Sequence, residues 1–546
     1  MDTEIELNDG QKIALRHLQS GENCLLTGKA GTGKTTVLRA FGERNKNVAF
    51  LAPTARAAEP FHGETIHHFF GFKPFEVYSP ADLGPLNDKK KIELIRAASV
   101  IVIDEASMLR SDLFACIDVR LRQCAPPEAA GLPFGGKQII LVGDWFQLPP
   151  IVKENTAFPI WEFLGQFGGK YVHQGKLWRK AKFRVIALRQ VMRQNDPEFI
   201  ALLNQIRYGI RDAAMWGELN RRVVLPEELP ESAIHLCPTN DEVQSINNRK
   251  INKLPGPAVV FEANIIGIFP KTDYPLDRTL RLYVGERVMF VKNEREGDHF
   301  LYKNGTCGTI VSLENDEVCV RTDSGDEVTV KAARFPHFVH SLEKDEQGKL
   351  TVMTTEEGAF TQIPLKPAYA ITIHKSQGMT LDQAIISPRN CFQAGQLYTA
   401  LSRCRSLDGI FLTEPIGRVL HDPEIARLYD DWEYSPELLW DTLLRERERF
   451  SGLLFGIALP DAEIRYDKNA PLLQQLRAVC RISLLRQRRG EAPESQCALS
   501  KRMKFLLGRI RFCAEKLERE GSLDEWEYDK LARGLLEISA LAKRAA

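Results

Sequence analysis

Eight residues near the start of the chain, Gly28-Lys29-Ala30-Gly31-Thr32-Gly33-Lys34-Thr35, fit the pattern G-x-x-x-x-G-K-S/T. The apolar run Cys24-Leu25-Leu26 precedes them, and a helical pattern from Thr36 to Phe41 follows. A strand, a glycine-rich loop and a helix in that order cradle phosphate. The glycines let backbone N–H groups wrap the anion, and the helix N-terminus adds partial positive charge. In this reading Gly28, Ala30, Gly31, Thr32, Gly33, Lys34, Thr35 and Thr36 surround a nucleoside triphosphate. Lys34 neutralises the β- and γ-phosphates, and Thr35 holds Mg²⁺ through its hydroxyl.

Downstream strand ends supply the rest of a phosphate-cleaving site. Val100-Ile101-Val102-Ile103 reads as a buried strand that delivers Asp104 and Glu105 to its carboxyl end, where α/β sheets bind ligands. Asp104 is expected on the Mg²⁺ ion, and Glu105 is placed to deprotonate the attacking water. The run Gln138–Val142 leads into Gly143-Asp144-Trp145-Phe146-Gln147-Leu148-Pro149-Pro150. Gln147 there can hydrogen-bond both the γ-phosphate and the water, and so report cleavage. Arg193 and Arg403, in Leu188–Gln194 and Tyr398–Arg403, suit charge stabilisation from a second domain.

Small hydroxyls, amides and imidazoles form another set. It comprises Pro53 and Thr54, Thr65 and His67, Thr239 and Asn240, and His374 and Ser376. With backbone N–H donors, such groups position a strand by its phosphates without reading bases.

The 546 residues exceed what one core supports, so several domains are expected. A formal net charge of +1 decides nothing about nucleic acid, because a motor can confine basic groups to one groove. The 11 cysteines show no C-x-x-C pair and no zinc-like spacing, which predicts a reduced, cytoplasmic compartment. There is no secretory pattern and no apolar run of about 18 residues, so no membrane partner is expected.

Apolar runs at Cys24–Thr27, Val48–Ala52, Val100–Ile103 and Gln138–Val142 alternate with helical patterns, predicting a parallel α/β sheet. The alternation breaks from Phe69 to Ile92, around Pro74, Pro80, Pro85 and Lys89-Lys90-Lys91, which reads as a small insertion. A second α/β unit is expected from near Val185. It is interrupted at Leu280–Val330 by short β patterns with turns at Asn304-Gly305 and Ser324-Gly325, the signature of a small barrel. The tail after Asp441 is helical, with an apolar seam through Leu499, Met503, Leu506, Ile510, Cys513 and Leu517. Its arginines, Arg477 to Arg511, suit a nucleic-acid or partner surface, or equally the solvated face of a bundle.

The ordered motifs resemble superfamily-1B DNA helicases and, within them, the Pif (petite integration frequency) family. Asn8 and Gln11 resemble its adenine-reading motif, and Pro133-Phe134-Gly135-Gly136-Lys137-Gln138 resembles the stretch that separates the family from RecD-type relatives. Arg56 and His68 depart from the common pattern. The resemblance covers roughly residues 5 to 430. It implies an α/β fold of two RecA-like P-loop domains, residues 1–183 and 184–440, with ATP between them. It further implies a wedge insertion at about 69–92, with Phe75 and Tyr78 as wedge aromatics, and an SH3-like β-barrel insertion at about 263–364. The tail, 441–546, forms a helical domain that the resemblance does not explain. Gln11 and Gly378 join the nucleotide-binding set. The implied activity is ATP- and Mg²⁺-dependent 5′-to-3′ movement on single-stranded DNA with opening of forked duplex. A monomer is expected, because both arginines lie in cis, and a bacterial chain would be nucleoid-associated. A RecD-like motor subunit, an ATP-gated clamp and an RNA-directed motor are the alternatives.

Overall fold

A computed structural model describes residues 6–432, except 73–79, 82, 153–159, 193–195, 211–212, 297–298, 315–316 and 345–349. The chain divides into a unit of residues 1–426 and a second of 427–546. The expected helical tail, the wedge aromatics Phe75 and Tyr78, and Arg193 lie outside the described residues.

The first sheet is parallel and six-stranded. Its strands are β1 (Cys24–Gly28), β2 (Val48–Ala52), β3 (Glu64–Thr65), β4 (Val100–Ile103), β5 (Gln138–Gly143) and β6 (Arg184–Leu188). The order is β3-β2-β4-β5-β1-β6. Strands β1, β4 and β5 are buried at every position, because helices cover both faces of a parallel sheet. They therefore read as unbroken apolar runs. They are also adjacent, so the P-loop, the Asp104-Glu105 pair and the Gly143–Gln147 turn leave the sheet side by side. The register pairs Leu26 with Val142 and Ile103 with Leu141. The Thr27 hydroxyl donates to the Gly143 carbonyl at 2.9 Å, fixing the loops at their roots.

One boundary differs from expectation. The run at Val185 does not open a second unit. It belongs to β6, which pairs with β1 from Cys24↔Arg184 to Gly28↔Leu188. An apolar run announces a buried strand but not which edge it joins, so the first domain extends past residue 183.

The second sheet is parallel and four-stranded, in the order Ala370–Thr372, Ile234–Cys237, Ala384–Ile386, Ile410–Leu412. Between its first two strands in sequence lies a β insertion running from Val259 to Pro367. Five of its strands form an antiparallel sheet around Val288, Phe290, Ile310, Val318, Val320, Val330 and Leu365. Alternate burial along Glu317–Thr322 and Glu327–Val330 is what one covered face produces. The expected turns fall at Gly305 and Gly325, with φ near +96° and +95°. The long hairpin Ala333–Lys344 with Leu350–Gln362 continues the insertion beyond the short-stranded stretch read from sequence.

That hairpin docks on the edge of β2 that two-residue β3 leaves open. The Phe50 N–H donates to His340 Nε2 at 3.2 Å, so Nδ1 carries the proton and donates to Glu64 Oε1 at 2.7 Å. The His340 N–H reaches the same oxygen at 2.9 Å, and the Val352 N–H reaches Asn47 Oδ1 at 2.8 Å. His68, one of the two departures from pattern, bonds the other Glu64 oxygen. Burial pushes the Glu64 carboxyl up, but hydrogen bonds from His340 and His68 outweigh it and hold the group at about 2.

Candidate nucleotide cleft and strand-facing rim

The P-loop opens helix α1 of the site, Lys34–Arg44, with Gly31 and Gly33 in the left-handed region at φ +78° and +80°. That conformation turns successive N–H groups to one side. Lys34 Nζ donates to the carbonyls of Gly28 at 2.8 Å and Lys29 at 3.1 Å, so the ammonium lies within the loop. Thr32 is buried and donates to Lys29 O at 3.0 Å. Ala30 is buried, and Thr35 and Thr36 stand half-buried in the first helical turn.

Gln11 sits against this loop. Its Oε1 accepts from Asn8 N–H at 3.0 Å, and Asn8 Oδ1 accepts from Gln11 N–H at 2.9 Å, a reciprocal helix cap. Its Nε2 donates to Thr32 O at 3.3 Å. A Cβ on Gly33 would stand 2.3 Å from that nitrogen, so the close approach requires glycine. Gln11 thus buttresses the loop with its amide nitrogen while its amide oxygen holds the helix cap.

Asp104 and Glu105 leave β4 together. The Glu105 N–H donates to Asp104 Oδ1 at 2.8 Å, and Glu105 adopts φ +50°, strained for a residue with a side chain. Desolvation, and then the neighbouring Glu105 charge, push the Asp104 carboxyl up to about 7. The Glu105 hydrogen bond and Lys34 pull the other way. Two crowded carboxylates within electrostatic reach of Lys34, with the Thr35 hydroxyl in the first turn of the P-loop helix, are a donor set that suits a divalent cation.

Beyond β5, Asp144 is fully buried and acts as a hub. Its Oδ1 accepts from Phe146 N–H at 3.2 Å and from the Arg207 guanidinium at 3.3 Å. Its Oδ2 accepts from Gln147 Nε2 at 3.4 Å and from the Tyr398 hydroxyl at 3.1 Å. The Tyr398 oxygen also takes the Ala30 N–H of the P-loop at 3.5 Å. Tyr398 lies on the short helix Gln396–Leu401, which follows a strand of the second sheet, so this hydroxyl joins the two sheets' loops. Five residues on, Arg403 is buried, donating to Thr399 O and to Ser402 Oγ, each at 3.0 Å. Burial draws its pKa down, opposed first by the charge of Glu105, which lies within electrostatic reach. The backbone N–H of Met192 donates to Gly31 O at 2.7 Å, bringing Met192 to the P-loop.

Sequence reasoning missed Arg207. It lies in the last turn of the helix Pro197–Tyr208, whose buried positions include Phe199, Leu202, Leu203 and Ile206. Its place four residues after Leu203, on the apolar face, was the available signal.

The residues expected to grip a strand are arranged differently. Thr54, Thr65 and Thr239 each cap a helix, accepting at 3.3 Å from the N–H of Ala57, His68 and Glu242. Thr54, Thr239 and Asn240 are exposed, and Pro53, Thr65, His67 and His374 are half-buried. Desolvation lowers the pKa of both His67 and His374, favouring neutral rings. Gly378 is exposed, with φ +76°. Ser376 departs from expectation: it is fully buried and its hydroxyl donates to Ile373 O at 2.7 Å. Its hydroxyl is turned inward and shapes its loop from behind. Arg56, the other departure from pattern, donates to the Lys375 carbonyl at 3.0 Å. Lys366 of the insertion is near both: desolvation, then the charges of Arg56 and Lys375, lower its pKa to about 7. The Pro133–Gln138 stretch is a left-handed turn at Phe134 and Gly135, held by the Phe134 N–H on Asp118 Oδ1 at 2.6 Å.

Among the described residues no helix is long and apolar enough to cross a membrane. The family model for PIF1-like helicases matches residues 6–214. The ATP-dependent DNA helicase Pif1 of Bdellovibrio bacteriovorus is 32% identical over 439 residues, covering 79% of this chain and 93% of that protein. Among solved structures, Bacteroides sp Pif1 in complex with ADP-AlF4 matches at TM-score 0.70 and 32% identity, over 78% of this chain and 97% of that one. Bacteroides Pif1 bound to ssDNA matches at 0.56 and 34% identity, over 79% and 98%.

Proposed function

Because this chain belongs to the Pif1 family of ATP-dependent DNA helicases, we propose that it moves 5′ to 3′ along single-stranded DNA and opens forked duplex, hydrolysing ATP in the cleft between its parallel sheets. The observation that carries this reading is the meeting of Lys34, Asp104, Glu105 and Gln147 at three adjacent strand ends, with Arg403 of the other sheet within reach of Glu105.

In this account Lys34 neutralises the β- and γ-phosphates, and Glu105 accepts a proton from the attacking water while Gln147 orients it. Arg403 and Arg193 offset the charge that develops on the γ-phosphoryl group. Thr35 and Asp104 would hold Mg²⁺, which when bound supplies positive charge to the phosphate oxygens. Gln11 reads the adenine edge from its seat on the P-loop, and Gly378 completes the nucleotide-binding set from the second domain. Loss of the γ-phosphate removes what the two arginines hold, and the domains part.

The strand is proposed to run over Pro53, Thr54, Thr65, His67, Thr239, Asn240 and His374. Arg56, Lys366 and Lys375 extend the track with positive charge contributed by three segments. The segment at about 69–92 serves as the wedge, and the five-stranded sheet of the insertion supports an SH3-like barrel. Bacteroides Pif1 has been described bound to ssDNA, and two coordinating Pif1 helicases have been described at forked dsDNA. One chain suffices for hydrolysis here, since both arginines belong to it.

The test is steady-state ATP hydrolysis by the purified chain, with and without single-stranded DNA, alongside strand separation of a forked duplex. Hydrolysis raised by DNA together with separation is expected. DNA-stimulated hydrolysis without separation favours a clamp or a motor subunit, and hydrolysis indifferent to DNA contradicts the reading.

A further inference from the structure

We infer that Arg207 is a positioning residue which, through Asp144, fixes Gln147 and Tyr398 as one unit and so couples nucleotide cleavage to the second sheet, whose strand ends carry the proposed strand contacts Thr239 and His374. The inference rests on the helicase reading above and deepens it.

Four observations converge. The Arg207 side chain is fully buried and its ion pair with Asp144, at 3.3 Å, is equally enclosed, so solvent does not screen it. The guanidinium also lies 4.1 Å from the centre of the Phe146 ring, within the segment that carries Gln147. Both Asp144 oxygens are engaged, one shared by Arg207 and Phe146 N–H, the other by Gln147 and Tyr398. Finally, Gly395 permits the contact: a Cβ there would stand 2.1 Å from Gln147 O and 2.5 Å from Phe146 O. The helix bearing Tyr398 therefore starts directly against the Gln147 turn.

The arrangement has a directional consequence. Gln147 Nε2 holds Asp144 by an uncharged amide contact at 3.4 Å, weaker than the charged Arg207 pair, so a phosphate oxygen can replace it. Arg207 and Tyr398 keep Asp144 in place while Gln147 changes partner. A change at the γ-phosphate thereby reaches Tyr398 and, along the same segment, Arg403. Arg207 touches no reacting atom; it acts through Asp144.

The test compares the full chain with Arg207→Met, Arg207→Lys, Tyr398→Phe and the Arg207→Met/Tyr398→Phe pair, in DNA-stimulated ATP hydrolysis. Tyr398→Phe deletes one hydroxyl and keeps the ring, which guards against a result due to misfolding. Arg207→Met is expected to lower kcat about tenfold with KM for ATP moved less than about threefold, and to reduce the ratio of DNA-stimulated to basal rate. Arg207→Lys is expected to recover part of the ratio, and the paired change to cost less than the product of the single effects. A purely structural arginine would lower the melting temperature and leave kcat and the ratio unchanged per folded molecule, which would overturn the inference. A wild-type chain that ignores DNA overturns the helicase reading, and this inference with it. A DNA-stimulated wild type whose variants keep its ratio overturns the inference alone.

Discussion

Asp144 and Thr239 stand for two regions of this molecule that are built by opposite rules. Asp144 is buried, with contacts from its own turn, from a helix and from the second sheet's loop. Thr239 is exposed and caps the start of one helix. The cleft is a connected network in a desolvated space, where each group sets the position of several others. At the rim, Thr54, Thr65 and Thr239 are separate helix caps, each accepting from a backbone N–H of its own helix. The difference suits the chemistry proposed for each place. Hydrolysis needs groups held to fractions of an ångström, whereas a moving strand must be gripped and released by contacts that are individually weak.

Substitutions can break or sharpen that contrast. The largest effect is expected at Lys34: Lys34→Ala removes the ammonium held within the loop and should reduce ATP hydrolysis on the order of 10² to 10³-fold. Steady-state rates check it. Next, Gly395→Val forces a side chain into Gln147 O at a left-handed backbone position, and should cost about 1–3 kcal/mol of stability with a fall in kcat. Thermal unfolding and kinetics on the same preparation decide this. At the rim, Thr54→Ala and Thr239→Ala should each cost about 1 kcal/mol through the lost cap and weaken single-stranded DNA binding a few-fold. The double variant should be additive, unlike the cleft pair, and a strongly non-additive pair would erase the contrast drawn here.

The smallest effect concerns pH. Lys366 is drawn down to about 7, so it loses its charge as pH rises through 7. A DNA phosphate favours the charged form, so binding takes up a proton above that pH. Affinity for single-stranded DNA should therefore fall between pH 7 and 9, by no more than about tenfold per pH unit, and Lys366→Met should flatten the slope. Fluorescence anisotropy at constant ionic strength measures it.

The cleft was the more legible region because its parts are tied to strand ends. β1, β4 and β5 are buried on both faces and so spell unbroken apolar runs, and the chemistry follows each run at once. Pairing was not legible: the run in β6 looks the same whichever sheet it joins. Nor was Arg207, whose meaning depends on Asp144, 63 residues away in sequence. Ser376 was misread because a hydroxyl in a polar motif gives no sign that it is turned inward. The hairpin Ala333–Lys344 with Leu350–Gln362 was hidden by Pro336 and by the register shift between His337 and Phe338, which break its alternation midway, and His340 by the absence of any local pattern that would name Glu64 as its partner.

Strand separation on two forked duplexes that differ only in carrying a 5′ or a 3′ single-stranded tail, with ATP and Mg²⁺ present, decides both the activity and its direction. Lys34→Ala serves as the blank. The account predicts separation with the 5′ tail alone and none in the variant. Separation driven from the 3′ tail, or separation that survives Lys34→Ala, would contradict it.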